Sequence, residues 1–234
     1  MMIRQIEFTT AENLNEALAQ EIASTLDREI RAKGYANLAV SGGRTPAGMF
    51  SLLSEKALDW ANVNITLVDE RWVETTSRDS NEKLLRETLL QNNAGAAHFI
   101  PLKQDLELTE SALQKITAQL QHDKAFPFDM VTLGLGEDGH TASLFPCADE
   151  IYTAMSETNP DLLIKLTPRT APYNRISFTL NALLRSGKIC LHLVGSNKLE
   201  VLKRARSADN IMEMPIRAFL QNEQIDFTIY WAPH

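Results

Sequence analysis

Two cysteines, Cys147 and Cys190, are too few to staple a chain of 234 residues. Neither lies in a CxxC pair or at metal-ligand spacing, so both are expected to be buried free thiols, as suits a reducing cytosol. Long apolar runs are missing as well. Nothing approaches the roughly 20 apolar residues of a membrane span, and the opening Met-Met-Ile-Arg-Gln-Ile-Glu-Phe has no apolar signal core. A cytoplasmic protein with no membrane partner is expected. Runs of like charge are also absent, and the net charge is −7. Nucleic-acid binding is therefore not expected, because it needs a basic face. The same negative field would repel a small anion, so an anion site would require a local cluster of Arg and Lys. There is no Walker A loop and no GxGxxG, which removes the usual signals of nucleotide binding. His98, His122, His192 and His234 are scattered without HExxH or similar spacing, and no zinc site is expected.

What the chain does have is an ordinary globular balance, 44% hydrophobic and 23% charged, enough to bury a full core. Strand and helix patterns alternate. Strands are expected at Ile3 to Phe8, Asn37 to Val40, Val63 to Val68, His98 to Pro101, Asp129 to Leu133, Leu162 to Leu166, Arg175 to Leu180, Lys188 to Val194 and Asp226 to Trp231. Between them, Leu14, Leu18, Ile22, Leu26 and Ile30 keep helical spacing within Ala11 to Lys33, with Gly34 as a stop. Further helices are expected from Pro46 to Leu53, Ser80 to Leu90, Thr109 to Leu120, Asn181 to Arg185 and Ser196 to Arg204. This alternation predicts an α/β fold: a single doubly wound domain over residues 1–234, with a mostly parallel sheet and helices on both faces.

Three segments stand at strand ends, where open α/β sheets bind ligands. In Ser41-Gly-Gly-Arg-Thr-Pro46, the glycines Gly42 and Gly43 let backbone N–H groups approach a ligand, and Ser41 and Thr45 add hydroxyls ahead of a helix N-terminus. The plainer reading is a tight turn with a capping hydroxyl. In Asp69-Glu-Arg-Trp-Val73, Arg71 is suited to a phosphate or an oxyanion, with Asp69 and Glu70 to orient it or to hold sugar hydroxyls. The plainer reading is a salt-bridged strand end. The strongest signal is Gly134-Leu-Gly-Glu-Asp-Gly-His-Thr-Ala-Ser-Leu-Phe-Pro146. A histidine in a glycine-rich acidic loop at a strand end suits a general base near neutral pH, and the spacing of two permits, without requiring, a contact from the Asp138 carboxylate to the His140 ring. Ser143 and Cys147 are the alternative nucleophiles, but Ser143 has no GxSxG elbow. Arg175, with Arg169 as a weaker alternative, and Lys198 at a strand-to-helix junction are phosphate-ligand candidates. Their plainer reading is solvated surface charge.

Taken in order, the Ser41, Asp69 and Gly134 segments, Arg175-Ile-Ser-Phe-Thr and Gly195-x-x-Lys198 resemble the bacterial 6-phosphogluconolactonase family, in the superfamily that includes glucosamine-6-phosphate deaminases. The stretch Pro168 to Pro172 is looser than the family's proline-rich version. The resemblance implies hydrolysis of 6-phospho-D-glucono-1,5-lactone in the oxidative pentose phosphate pathway, with a phosphorylated sugar lactone as the small-molecule partner and no cofactor or metal. It implies His140 as catalytic base, assisted by Asp138 and Arg71. It also implies a substrate site of Ser41, Gly42, Gly43, Thr45, Asp69, Gly136, Arg175 and Lys198, with either Asp138 or Asp69 holding the imidazole. A deaminase of the superfamily would carry a glutamate just before the loop's proline; here that residue is Phe145, which favours hydrolysis. A non-catalytic sugar-phosphate sensor is the alternative of another class, and such proteins often add a DNA-binding region for which this acidic chain has no room.

Overall fold

A computed structural model describes residues 3–234. Met1 and Met2, which the one-domain reading and the reading of the N-terminus include, lie outside the described residues. In chain order the elements are β1 (Arg4–Glu7), α1 (Ala11–Lys33), β2 (Ala36–Val40), α2 (Ala47–Ser54), β3 (Val63–Leu67), β4 (Asp69–Arg71), α3 (Asn81–Thr88), β5 (His98–Ile100) and α4 (Glu110–His122). They continue with β6 (Met130–Leu133), α5 (Ile151–Ala154), β7 (Leu163–Leu166), β8 (Arg175–Phe178), α6 (Leu180–Leu184), β9 (Lys188–Val194), α7 (Ser196–Arg206), α8 (Arg217–Leu220) and β10 (Phe227–Ala232). No described helix is long and apolar enough to cross a membrane.

Local chemistry explains most boundaries. Thr10 caps α1 by accepting from the Asn13 N–H at 3.3 Å, and Gly34 ends it at φ 88°, donating to the Ile30 carbonyl. Leu14, Leu18, Ile22 and Leu26 form the buried stripe of that helix. Thr179 caps α6 through the Ala182 N–H, so the strand expected to run to Leu180 stops at Phe178 instead.

Seven strands make one parallel sheet in the order β1-β10-β9-β6-β2-β3-β5. Every residue of β2 and β6 is buried, as it must be where both faces of a parallel sheet are covered. The chain leaves β2 toward β3 and β5, and leaves β6 the other way toward β9 and β10. The point where the order reverses therefore lies between β2 and β6, and the crevice of an open α/β sheet opens at their carboxyl ends.

Three segments stand outside this parallel sheet. Asp69–Arg71 is a short strand rather than a strand end, and with Leu163–Leu166 and Arg175–Phe178 it forms a separate sheet, β4-β8-β7, antiparallel throughout. The reason is connection length. Only residues 167–174 join β7 to β8, too few for the crossover of a dozen or more residues that parallel pairing needs. This small sheet is pinned to the large one where the Phe178 N–H donates to the Val68 carbonyl at 3.0 Å. The short helices α5 and α8 have too few turns to show a period, and the sequence reading passes over them.

At the amino end of β2, Asn37 is buried and fully engaged. Its Nδ2 donates to the Lys124 and Pro127 carbonyls at 2.8 and 2.9 Å, and its Oδ1 accepts from Asn64 at 3.0 Å. Asn37→Ala should lower unfolding free energy by about 1–3 kcal/mol, because the stranded carbonyls find no other donor. Urea denaturation monitored by circular dichroism measures this, and an unchanged midpoint contradicts it.

Candidate active site

At the carboxyl ends of β2 and β6 the structure opens a cleft of about 600 Å³. Eleven of the residues weighed from the sequence line it: Ser41, Gly42, Gly43, Thr45, Asp69, Arg71, Gly136, Asp138, His140, Arg175 and Lys198; Glu70, weighed as a holder of sugar hydroxyls, does not. Residues spread from 41 to 198 converge because loops after β2, β6 and β9 meet beyond one sheet edge, while β4 and β8 of the small sheet form the facing wall.

His140 is held from three sides. Asp138 Oδ1 lies 2.5 Å from the ring Nδ1 and accepts the His140 backbone N–H at 3.1 Å. An ionised carboxylate only accepts, so Nδ1 carries the proton and the lone pair sits on Nε2. Nε2 has no hydrogen-bond partner among the described residues. The Phe145 ring stacks on the imidazole with centroids 3.9 Å apart. Burial pushes the Asp138 carboxyl up, but the hydrogen bond and charge of the His140 ring and the nearby backbone N–H groups outweigh it and hold the group below its ordinary value. Of the two carboxylates weighed as the imidazole's partner, Asp138 is the one in contact. Asp69 is committed elsewhere: its Oδ2 accepts from the Ser143 hydroxyl at 2.5 Å, and its carbonyl accepts from Asn81 Nδ2 at 3.0 Å. Ser143 is fully buried, so its hydroxyl is not offered to the cleft as a nucleophile. Cys190 is buried, which drives its thiol up to about 12. Cys147 is only partly buried, since it lies on the loop before α5, with its Sγ 3.1 Å from Thr170 Oγ1.

The facing wall supplies positive charge. Arg71 and Arg175 are directly opposed cross-strand partners in β4 and β8. Like charges so placed repel. Arg71 Nη1 donates to the Asp79 carbonyl at 2.6 Å and Arg175 Nη2 to the Pro172 carbonyl at 3.1 Å, yet the Nε of each is buried without a partner among the described residues. Arg175 is 6% exposed, and its guanidinium is held below its ordinary value first by burial, with Arg71 adding to this and Asp69 opposing it. An anion between the two guanidiniums would relieve both the repulsion and the unmet N–H groups. Glu70 fixes this wall: its carboxylate accepts from the N–H groups of Arg71, Asn81 and Glu82 and from the Ser80 hydroxyl, joining β4 to the start of α3. Opposite, Lys198 near the start of α7 donates to the Leu135 carbonyl at 2.9 Å, and Ser41 Oγ is buried without a partner among the described residues. Arg169, the weaker alternative to Arg175, pairs with Asp149 and does not line the cleft.

The cleft also contains residues that the sequence reading does not assign. Arg44 is an exposed cation inside the Ser41 loop, and its place in that motif was the available signal. Asn81 packs so tightly on the loop that a Cβ at Gly42 would fall 2.1 Å from its Oδ1; no sequence pattern announces this contact. Thr132 and His192 line the floor, both buried, with Thr132 Oγ1 and both ring nitrogens of His192 unpartnered among the described residues. Burial alone brings His192 down to about 4, so its ring is neutral near pH 7. Its signal was a polar residue within the apolar run of β9. Among the described residues, no group of three or more His, Cys, Asp or Glu side chains is placed to hold a metal ion.

Gly136 makes room for the imidazole. A Cβ there would come within 2.1 Å of His140 Nδ1 and Cε1. Gly136→Ala should push the ring off Asp138 and lower kcat by about 10²-fold, as misplacements of about 1 Å do, with little change in unfolding midpoint. Retained turnover contradicts the arrangement.

The sequence pattern of the family described as glucosamine-6-phosphate isomerases/6-phosphogluconolactonase matches residues 9–231. A 6-phosphogluconolactonase of Rhizobium meliloti (strain 1021) is 41% identical over 226 residues, 97% of each chain. A 6-phosphogluconolactonase of Neisseria meningitidis serogroup B is 41% identical over 229 residues, again 97% of each. The crystal structure of a 6-phosphogluconolactonase from Shewanella baltica OS155 superposes with a TM-score of 0.94 at 43% identity, covering 98% of this chain and 97% of that one.

Proposed function

The chain belongs to the glucosamine-6-phosphate isomerase/6-phosphogluconolactonase family, and from that premise we propose that it hydrolyses 6-phospho-D-glucono-1,5-lactone to 6-phosphogluconate, the second step of the oxidative pentose phosphate pathway. The observation that carries this reading is the His140–Asp138 pair, with Nε2 free, in a cleft that Arg44, Arg71, Arg175 and Lys198 also line. The two free thiols suit the cytoplasm as its place of work.

In the proposed reaction a water sits between His140 Nε2 and C1 of the lactone. Nε2 takes its proton as the oxygen attacks C1, a general-base contribution on the order of 10² to 10⁴ in rate. Asp138 steadies the imidazolium so formed. The tetrahedral oxyanion draws on Arg71 or on N–H groups of the Gly136 loop, each such donor being worth about 3–4 kcal/mol. Collapse breaks the bond from C1 to the ring oxygen, and His140 returns the proton to that oxygen. One water is consumed and no electrons are exchanged. The Ser41 loop (Ser41, Gly42, Gly43 and Thr45), Arg175 and Lys198 hold the phosphate, so that remote binding energy fixes C1 against His140. Asp69 keeps the Ser143 segment in register beneath the site.

Deamination with isomerisation, the other activity in the family's description, would use a carboxylate to shuttle protons near the imidazole. The position before Pro146 is Phe145, whose ring lies against His140 instead. An aromatic ring exchanges no proton, and this favours hydrolysis.

A coupled assay tests the proposal. The lactone is generated in place from glucose 6-phosphate, and its decay is compared with and without protein after correction for spontaneous opening; glucosamine 6-phosphate serves as the control substrate. His140→Ala should lower kcat by about 10²- to 10⁴-fold at an unchanged unfolding midpoint, and near-wild-type turnover sinks the mechanism. Lys198→Ala should shrink the preference for phosphorylated over unphosphorylated gluconolactone by about 10-fold or more, the worth of a charge-assisted hydrogen bond. An undiminished preference removes Lys198 from the phosphate site.

A further inference from the structure

The floor of the cleft carries polar groups that the proposed chemistry does not use. His192 is 5% exposed and Thr132 is 2% exposed, both line the cleft, and His192 Nδ1, His192 Nε2 and Thr132 Oγ1 have no hydrogen-bond partner among the described residues. Buried polar groups are nearly always paired, because each has given up water on folding. Their placement is not accidental to the sheet. Thr132 on β6 is in register with Cys190 on β9, so His192, two residues further along β9, projects from the same face toward the open end. Ser41 Oγ, also unpartnered, stands one residue beyond Val40, the β2 partner of Thr132. These atoms lie on, or one residue beyond, three adjacent strands around the reversal point.

The chemistry of these groups selects their ligand. A neutral imidazole offers one N–H donor and one acceptor nitrogen, and a threonine hydroxyl both donates and accepts. A phosphate or a developing oxyanion wants donors and positive charge, which Arg71, Arg175 and Lys198 supply. An alcohol is the matching group, since it donates through hydrogen and accepts through oxygen at one point. We propose that His192 and Thr132 form a specificity-determining subsite that receives one secondary hydroxyl of a polyhydroxylated sugar lactone. The assignment rests on the lactonase reading. The ring touches no reacting atom and acts by binding, selecting lactones that carry that hydroxyl. Buried groups that pair with a substrate hydroxyl reject the analogue lacking it, because that analogue leaves them unmet.

The test compares kcat/KM for 6-phosphogluconolactone with its 2-deoxy, 3-deoxy and 4-deoxy counterparts, each generated in place, for wild type, His192→Leu, His192→Gln and Thr132→Val. Wild type should lose about 10-fold or more on one of the three deoxy lactones. His192→Leu should lose a similar factor on the full substrate, mainly through KM, while treating that one deoxy lactone as wild type does. His192→Gln, which keeps a donor and an acceptor, should restore part of the difference. Thr132→Val should compress the same ratio, and it serves as the readout if His192→Leu does not fold. An equal loss on all four lactones means a structural role or a bound water only and overturns the proposal, as does no loss on any. If wild-type protein fails to accelerate opening of the full lactone, the lactonase reading itself fails and the subsite falls with it. If wild type is active and the ratios do not move, the subsite alone is wrong.

Discussion

The parallel pairing of β2 with β6, in which Val40 sits beside Thr132, constrains everything at the cleft. Two strands that pair in parallel but send the chain in opposite directions must release both following loops at the same edge, one toward each side. The Ser41 loop and the Gly134 loop are those two loops. Neither forms a site alone. One brings backbone N–H groups and an unpartnered hydroxyl, the other brings His140 already clamped by Asp138. Their meeting is a consequence of strand order, and strand order is in turn held by apolar burial on both faces of the sheet.

The second constraint is electrostatic. A chain of net charge −7 gathers cations at this one place by setting two arginines opposite each other across β4 and β8. That arrangement costs stability without a ligand, since the charges repel and two guanidinium nitrogens lack partners. The surrounding structure absorbs the cost: Glu70 ties β4 to the start of α3 through three hydrogen bonds, Asp69 is held by Ser143, and backbone carbonyls receive the outer guanidinium nitrogens. A wall so braced would meet an anion without rearranging, as a preorganised site does. His140 shows the same logic at smaller scale. Gly136 gives the ring its space, Phe145 flanks it, and Asp138 selects the tautomer that leaves Nε2 basic.

Legibility in the sequence follows the range of the interaction. Helical spacing in α1, its Gly34 stop and the glycine-rich strand ends are set by near neighbours, so their residues declare them. The expectation of one mostly parallel sheet missed the small antiparallel sheet, although the eight-residue gap between Leu166 and Arg175 already forbade a crossover. Asp69–Arg71 was readable as a charged strand end but not as a strand, because its partner lies about a hundred residues away. Asn81 gave no local sign at all. His192 gave one, a polar residue within the apolar run of β9, and its meaning depended on what stood beside it.

By itself the sequence determined the alternation of strand and helix, the place of His140 in a glycine-rich acidic loop at a strand end, the cations near the other strand ends, and the absence of a carboxylate at position 145. These depend on residue type and on spacing along the chain. Only the tertiary structure decided which carboxylate holds the imidazole, that Ser143 is sealed beneath Asp69, that Arg71 faces Arg175, and that Thr132 and His192 share a floor with unmet hydrogen bonds. Each of those depends on strands distant in sequence lying side by side, a register fixed by the packing of the whole core.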